Sequence, residues 1–253
     1  MPPGWDFWVT RKGGEGKYYG YKTVEMTGAA GPGVVVIYGG DPAAYSTDVY
    51  ARKALQFVDR SLAAGAPFLL FFAPHAPHAP HTPGLRHANL LPGLAAPKPA
   101  SFNEADVGDK PAYVRAKPAL TPAEVAGTDR HYRDRARSLL AVDEAVRAIF
   151  DRVQAAGQLG NTYFVFMSDN GWLYGQHRLK SKGYPYEEAV RIPLHVRGPG
   201  VAAGRTISTL VGNADLAPPS PLGRGPRCRA TWTAARWRRC WRAARVRVGR
   251  RSA

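Results

Sequence analysis

The chain has 253 residues with 45% hydrophobic side chains, enough to bury a sizeable core as one large α/β domain or two small ones. Its net charge of +16 would ordinarily indicate binding to nucleic acid or to an anionic membrane. Eleven of these sixteen net positive charges come from arginines in residues 219–253, however. The basic character therefore belongs to that segment and does not exclude an enzyme in residues 1–218.

The first predicted elements are short β-structure, a helix and a strand. Residues 1–45 are rich in glycine and aromatic side chains and contain one apolar run at residues 34–38. A helix is predicted from Ser46 or Thr47, as N-cap, to Gly65, because apolar residues recur at helical spacing. The apolar run at 67–73 then predicts a buried strand, and a helix followed by a strand favours a largely parallel sheet.

Three histidines follow that strand in a proline-rich loop. His75, His78 and His81 are spaced three residues apart. Imidazoles at this spacing could bind a transition metal, whereas the prolines favour an extended surface loop in which the histidines are incidental. Both interpretations remain open from the residues alone.

A long irregular segment and a long helix come next. Residues 82–120 carry many prolines, and a loop of this length is usually functional or poorly ordered. Thr121 and Glu124 form a predicted capping box for a helix that ends near Gly157. Acidic residues alternate with Arg130, Arg133, Arg135 and Arg137, so a solvated helix face is favoured over a nucleic-acid patch.

The last part of the body contains two predicted strands and the polar residues between them. The run 163–167 predicts a buried parallel strand, and Asp169 and Asn170 lie in the turn that follows it. Their adjacent oxygen atoms suit Ca²⁺ or Mg²⁺, although an Asx turn closed by Gly171 is the alternative. A second strand is predicted at 192–196 and a third at 207–211.

Between these strands the sequence places an imidazole and two ammonium groups. His177, Lys180 and Lys182 follow the turn within a few residues, and such a set could hold a metal and neutralise an anionic oxyester. The ordered pattern SDNG-x4-QH-x4-K-x3-YEE-x2-R-x-P-x3-RGPG resembles the sulfatase family, in the branch of the N-acetylglucosamine-6-sulfatases. PFLLFFAPHAPHAP and RARSLLAVDEAVRAIF are similar to other segments of that family.

The resemblance implies a fold, a reaction and a site. It implies an α/β protein with a mostly parallel sheet flanked by helices, alkaline-phosphatase-like, that hydrolyses sulfate monoesters of small molecules or glycans. Ca²⁺, with Mg²⁺ as the alternative, would be bound by Asp169 and Asn170. Lys182 and His78 would bind the sulfate group, with His75 as second choice for His78 and Lys180 as rival of Lys182, and His177 would donate a proton to the bridging oxygen. Glu187 and Arg191 are interpreted as a structural ion pair.

The sequence also departs from the family pattern. The family forms its formylglycine nucleophile from a C/S-x-P-x-R motif, and no such motif occurs here. We therefore expect residues 1–218 to be a partial catalytic domain that is truncated at the N-terminus and inactive alone. No signal peptide is recognised at Met1, which predicts a cytoplasmic product as written, although an intact parent would be compatible with export. No apolar run is long enough to span a bilayer.

The Arg-rich tail, residues 219–253, contains both cysteines and half of the tryptophans but no acidic residue. It is predicted to be disordered or translated out of frame, because the family-like sequence stops at Pro218. A membrane-surface segment and a nucleic-acid-binding arm are the other interpretations. Two alternative functions therefore remain: a related metal-dependent phosphoesterase, and a basic protein that binds nucleic acid through this tail.

Overall fold

The computed structural model describes residues 4–13, 16–27 and 33–216. The Arg-rich tail lies outside these residues, so the predictions for it remain predictions. The helices and strands of the described part, in chain order, are β1 (Phe7–Arg11), β2 (Tyr21–Thr27), β3 (Val34–Tyr38), α1 (Ser46–Ala63), α2 (Ala112–Arg115), α3 (Pro122–Ala155), β4 (Phe164–Met167), β5 (Leu173–Tyr174), β6 (Lys180–Ser181), α4 (Glu187–Val190) and β7 (Leu194–Arg197).

The first three strands form an antiparallel sheet in the order β1-β2-β3. Its inner face buries Tyr21 and Thr23 on β2. The outer side of β3 is open, since Ile37 is 71% exposed. The predicted short β-structure and the run at 34–38 are therefore confirmed.

Helix α1 begins at Ser46, so neither of the predicted N-caps, Ser46 and Thr47, precedes the helix. Tyr45 is the N-cap residue and Ser46 is the first helical residue, whose N–H has no partner within the helix and donates to Tyr18 O at 2.9 Å. The hydroxyls of Ser46 and Thr47 are buried instead and have no hydrogen-bond partner among the described residues. The predicted cap is therefore wrong, while the predicted apolar face is confirmed: Val58 is fully buried in a cluster with Val153 of α3.

Helix α3 begins and ends as the sequence predicts. Glu124 N donates to Thr121 Oγ1 at 3.3 Å, and Thr121 N donates to Glu124 Oε2 at 3.0 Å, which completes the capping box. These bonds from Thr121, together with the Lys180 ammonium, lower the pKa of Glu124 to about 2. The helix stops before Gly157, whose φ of +69° favours glycine.

The prediction of a solvated face holds for the exposed Arg130 but is wrong for the other three arginines of α3. Arg135 is only 8% exposed. Arg133 donates through Nε to Leu94 O at 3.0 Å, and Arg137 donates through Nε to Leu90 O at 2.6 Å. The long irregular segment is therefore held against α3 through its carbonyl oxygens.

The sheets differ from the predicted parallel arrangement. All strand pairs in the described ranges are antiparallel, including β4 with β7, where Phe164 lies opposite Arg197. The reason is that α4 packs at the end of β4 through a bond from Gly171 N to Ala189 O, so β7 starts there and runs back along β4. Helices and strands still occur together, as expected of the α/β class.

Two further strand predictions are wrong, and a third is correct except for the burial of the strand. Residues 67–73 are not assigned as a strand and pair with no other strand that the structure describes, and residues 207–211 likewise form no strand. Leu210 is 95% exposed, so that segment lacks the partner that would stabilise a strand. Strand β4 forms as predicted but is not buried in the described part of the chain, since Phe166 is 46% exposed. None of the described helices has the length and apolar composition that a membrane span requires.

Candidate active site

The turn after β4 presents oxygen atoms at the end of the strand. Asp169 Oδ1 accepts a hydrogen bond from Asn170 N at 2.9 Å, and Ser168 Oγ donates to Asn170 O at 2.9 Å. An Asx turn would need the side chain of Asp169 to accept from Gly171 N. That N–H instead donates to Ala189 O at 2.9 Å, so the Asx-turn interpretation is wrong and the Asp169 carboxylate remains exposed.

Lys182 contacts this turn, whereas Lys180 does not. Lys182 Nζ donates to Asn170 Oδ1 at 3.0 Å and thus contacts the predicted oxygen ligands. Lys180 Nζ instead lies 2.9 Å from Glu124 Oε1 at the first turn of α3. The structure therefore brings Lys182, Asn170 and Asp169 together and directs Lys180 elsewhere.

His177 is held by a network that the sequence did not reveal. Its Nδ1 lies 2.7 Å from Glu104 Oε1, and its Nε2 lies 3.7 Å from Glu188 Oε2. Its ring stacks on Tyr186 with centroids 4.1 Å apart. An ionised carboxylate can only accept, so Nδ1 carries the proton and Nε2 is the nitrogen left for chemistry. Glu104 lies in the irregular segment, 73 residues from His177, and no periodic pattern marks it.

Removing the carboxylate of Glu104 should change the tautomer of His177. In Glu104→Leu, nothing accepts from Nδ1–H, so we expect the share of the Nε2–H tautomer to rise from a minority to a substantial fraction at neutral pH. Nitrogen-15 NMR shifts of the ring measure this ratio. Glu104→Gln is the matched control, because its amide oxygen can still accept; an unchanged ratio in Glu104→Leu would contradict this role.

The histidine loop forms a separate cluster. The rings of His75 and His78 lie with their centroids 5.1 Å apart and are tilted by 43°, and His75 Nε2 lies 2.8 Å from Ala79 O. Tyr18 Oη donates to His78 O at 2.8 Å and holds the loop in place. His81 Nδ1 lies 3.0 Å from Pro77 O. These imidazole nitrogens are directed at carbonyl oxygens of their own loop rather than at a common point.

The described residues contain no group of three or more His, Cys, Asp or Glu side chains that could hold a metal ion. The transition-metal interpretation of the histidine loop is therefore not supported. Asp169 and Asn170 offer oxygen atoms of the kind that Ca²⁺ prefers, but Ca²⁺ takes 6–8 such ligands. The oxygen atoms of Asp169 and Asn170 are thus of the kind that a hard cation binds, and they would be only some of its ligands.

Stability should fall as the pH falls from 7.5 to 5.5. Burial lowers the pKa of both His75 and His81 below the usual 6.5, so the unfolded chain takes up these protons first. For such a lowered histidine pKa, the stabilisation is fully present above pH 6.5 and is lost as the pH falls toward the folded-state pKa. Urea unfolding at both pH values measures the loss.

The control for this pH effect is the double variant His75→Gln, His81→Gln. We expect its unfolding free energy to change less over the same interval than that of the unmodified chain. The carboxylates with lowered pKa values titrate below this interval. An equal pH dependence in both proteins would assign the effect to other groups.

The predicted site residues thus lie in two places. One holds Asp169, Asn170 and Lys182, and His177 is linked to it through α4: His177 Nε2 lies 3.7 Å from Glu188 Oε2, and Trp172 N, just after the turn, donates to Glu188 O at 2.7 Å. The other holds His75 and His78. In the part of the chain that the structure describes, no hydrogen bond, ion pair or ring contact joins His78 to the first group. The expected ion pair of Glu187 with Arg191 is present at 3.1 Å, on the surface.

Comparison with known proteins identifies the family of the chain. The family model described as Sulfatase matches residues 3–219. The chain is 37% identical over 187 residues to Sulfatase ppz1 of Metarhizium majus, covering 70% of this chain and 44% of that protein. It is 33% identical over 222 residues to N-acetylglucosamine-6-sulfatase of Capra hircus, covering 86% of this chain and 38% of that protein.

A solved structure agrees at the level of the fold. The structure of another protein, in complex with its substrate D-glucosamine-2-N,6-O-disulfate, superposes on this chain with a TM-score of 0.64 at 23% identity. The match covers 79% of this chain and 50% of that one. The fold is thus the alkaline-phosphatase-like α/β fold of the sulfatases. The chain spans less than half the length of these two curated relatives. It belongs to the sulfatase family.

Proposed function

We propose that this chain carries part of a centre that hydrolyses sulfate monoesters, and that it does so with Lys182, His177, Asp169 and Asn170. The observation that carries the proposal is the meeting of an ammonium group with hard oxygen ligands at the end of β4: Lys182 Nζ lies 3.0 Å from Asn170 Oδ1. Membership of the sulfatase family supports this reaction class.

The metal is proposed to be Ca²⁺, with Mg²⁺ as the alternative. Asp169 and Asn170 would be two of its ligands, since carboxylate and amide oxygens are what these hard cations bind. When bound, the ion would supply positive charge next to the non-bridging oxygens of the ester. Lys182 Nζ donates to the same oxygen of Asn170, so the ammonium and the ion would share that ligand or compete for it.

The other side chains would bind the ester and move a proton. Lys182 would neutralise a sulfate oxygen as a fixed cation. In its imidazolium form His177 would donate the Nε2 proton to the bridging oxygen, and the neutral Nδ1–H tautomer, whose proton Glu104 accepts, would remain after the transfer. His78 is proposed as a second sulfate contact, with His75 as its alternative, and its approach to Lys182 would depend on the bound ester.

The nucleophile is the missing part of this proposal. The family would use formylglycine from a C/S-x-P-x-R motif, and the printed sequence holds none. We therefore propose that the 253-residue chain binds sulfate esters without turning them over. Residues 1–218 would be the partial catalytic domain, and the Arg-rich tail would take no part in it.

The substrate is proposed to be a sulfated small molecule or glycan. Two observations on other proteins support this class. Relatives from several animals bear the name N-acetylglucosamine-6-sulfatase. The solved structure of similar fold holds a disulfated glucosamine.

Equilibrium dialysis of an aryl sulfate with the purified chain, with and without Ca²⁺, tests the proposal. We expect Ca²⁺-dependent binding that is weakened at least fivefold in Lys182→Met and loses its Ca²⁺ dependence in Asp169→Ala. An aryl phosphate of the same alcohol should bind more weakly; the reverse preference would favour the phosphoesterase alternative. Turnover of the aryl sulfate that disappears in Asp169→Ala would refute the proposed inactivity.

A further inference from the structure

Arg135 is a buried cation whose contacts are with aromatic rings. It lies on α3 and is 8% exposed, with its Cζ 3.5 Å from the ring centroid of Trp172 and 5.6 Å from that of Tyr174. Its Nε is buried and has no hydrogen-bond partner among the described residues. No carboxylate in the described ranges forms an ion pair with it.

An arrangement of this kind has a free-energy cost. A buried charge is costly unless it is paired and hydrogen-bonded, and an orphaned donor adds a desolvation penalty. Contact with Trp172 offsets part of this cost through the cation–π interaction. It does not provide an acceptor for the guanidinium N–H groups. Burial raises the pKa of Tyr174, an effect that its interaction with Arg135 offsets only in part, so the phenol stays neutral and offers Arg135 an acceptor oxygen but no negative charge.

A small cavity lies next to Arg135. Its volume is about 50 Å³, and no acidic side chain lines it. One water occupies roughly 10–15 Å³ on this measure, so the space admits several waters or one small oxyanion. The polar and aromatic lining side chains are those of Thr128, His131, Arg135, Trp172, Tyr174 and Lys180.

The cavity wall is mostly apolar, and its charged lining groups, Arg135 and Lys180, are both cations, which favours a negative ligand over a cation. Arg135 provides a planar set of N–H donors that matches the oxygens of a sulfate or carboxylate group. Thr128 is buried and carries a hydroxyl donor, and His131 offers an imidazole. Lys180 adds an ammonium, which is shared with Glu124 on the surface at 2.9 Å. Lys182, His78 and Asp169 do not line the cavity, so it is distinct from the proposed ester site.

We propose that this cavity is a binding site for a small oxyanion, a sulfate or carboxylate group, with Arg135 as its main cation and Lys180 at its rim. The ligand is either a free ion or an anionic group carried by a larger molecule. Either ligand would contact Arg135 through the same anionic group. Only the larger molecule, such as a sulfated sugar, needs space outside the cavity.

Radiolabelled inorganic sulfate, titrated by equilibrium dialysis at constant ionic strength set with chloride, tests the proposal with the full chain. We expect binding that weakens at least tenfold in Arg135→Met and at least threefold in Lys180→Met. Arg130→Met is the matched control, since it removes the same charge from an exposed position on the same helix. Its affinity should match that of the unmodified chain.

Acetate and N-acetylglucosamine 6-sulfate serve as competitors that separate the two sources. Displacement by acetate alone would indicate a free ion, and displacement by the sulfated sugar would indicate a group on a larger molecule; both support the site. Circular dichroism shows whether Arg135→Met is folded. If it is not folded, the test rests on Lys180→Met. Absence of sulfate binding to the unmodified chain, or equal binding by folded Lys180→Met, Arg130→Met and unmodified protein, overturns the proposal.

Discussion

Replacing Leu173 by alanine should lower the free energy of unfolding by about 2–5 kcal/mol, as for other fully buried leucines. Leu173 follows the turn of the candidate site and is 0% exposed. It packs in a cluster with Val107, Val114, Leu179 and Ala189, which joins the irregular segment, β5 and α4. Truncation would leave a cavity where these three parts meet, so the positions of His177 and Glu104 should loosen as well.

Urea unfolding followed by circular dichroism measures this change, and Leu210→Ala is its control. The same atoms are removed there from a side chain that is 95% exposed, so we expect a change within about 0.5 kcal/mol. Equal destabilisation in the two variants would mean that the cluster around Leu173 does not form in solution.

Gly171→Ala should also be strongly destabilising. A Cβ at this position would lie 2.2 Å from Glu188 O and 2.9 Å from Arg191 O, and both are backbone atoms that cannot turn aside. The turn and α4 would have to separate, which also weakens the bonds from Gly171 N and Trp172 N to α4. Overpacking and two lost hydrogen bonds together predict a loss of about 3 kcal/mol or more.

The matched control is Gly160→Ala. No heavy atom lies within 4 Å of a Cβ built at Gly160, and its φ is not positive. Its unfolding free energy should therefore differ little from that of the unmodified chain. If thermal unfolding midpoints of the two variants coincide, the close packing of the turn on α4 is refuted. Amide exchange at residues 171 and 172 should also accelerate in Gly171→Ala.

Local signals in the sequence predicted the parts of the fold that depend on local physics. The capping box at Thr121 and Glu124 and the helix end at Gly157 each involve residues within one helical turn, and both are confirmed. Strand β3 likewise forms on the apolar run noted at 34–38, because valine and isoleucine favour extended backbone. Tyr45 was missed as a cap because its role is set by the Tyr18 carbonyl, which accepts from Ser46 N.

Tertiary packing decided what the sequence could not predict. Spacing along α3 cannot distinguish Arg135 from the exposed Arg130, since only the approach of Trp172 buries the former. Glu104 likewise becomes a partner of His177 through the path of the irregular segment. The direction of β7 depends on where α4 packs, and an apolar run carries no information on strand direction. By contrast, motif order alone indicated the family, which the comparisons confirm.

The bonds from Arg133 and Arg137 to the irregular segment have a consequence for how that segment can evolve. Both arginines bind main-chain carbonyls, of Leu94 and Leu90, and every amino acid carries such an oxygen. Mutations at these two positions therefore leave the anchoring bonds chemically available, and Leu90 is already 47% exposed. The segment can diversify its side chains while α3 keeps its path constant, in the way that a hypervariable loop diversifies on a fixed framework.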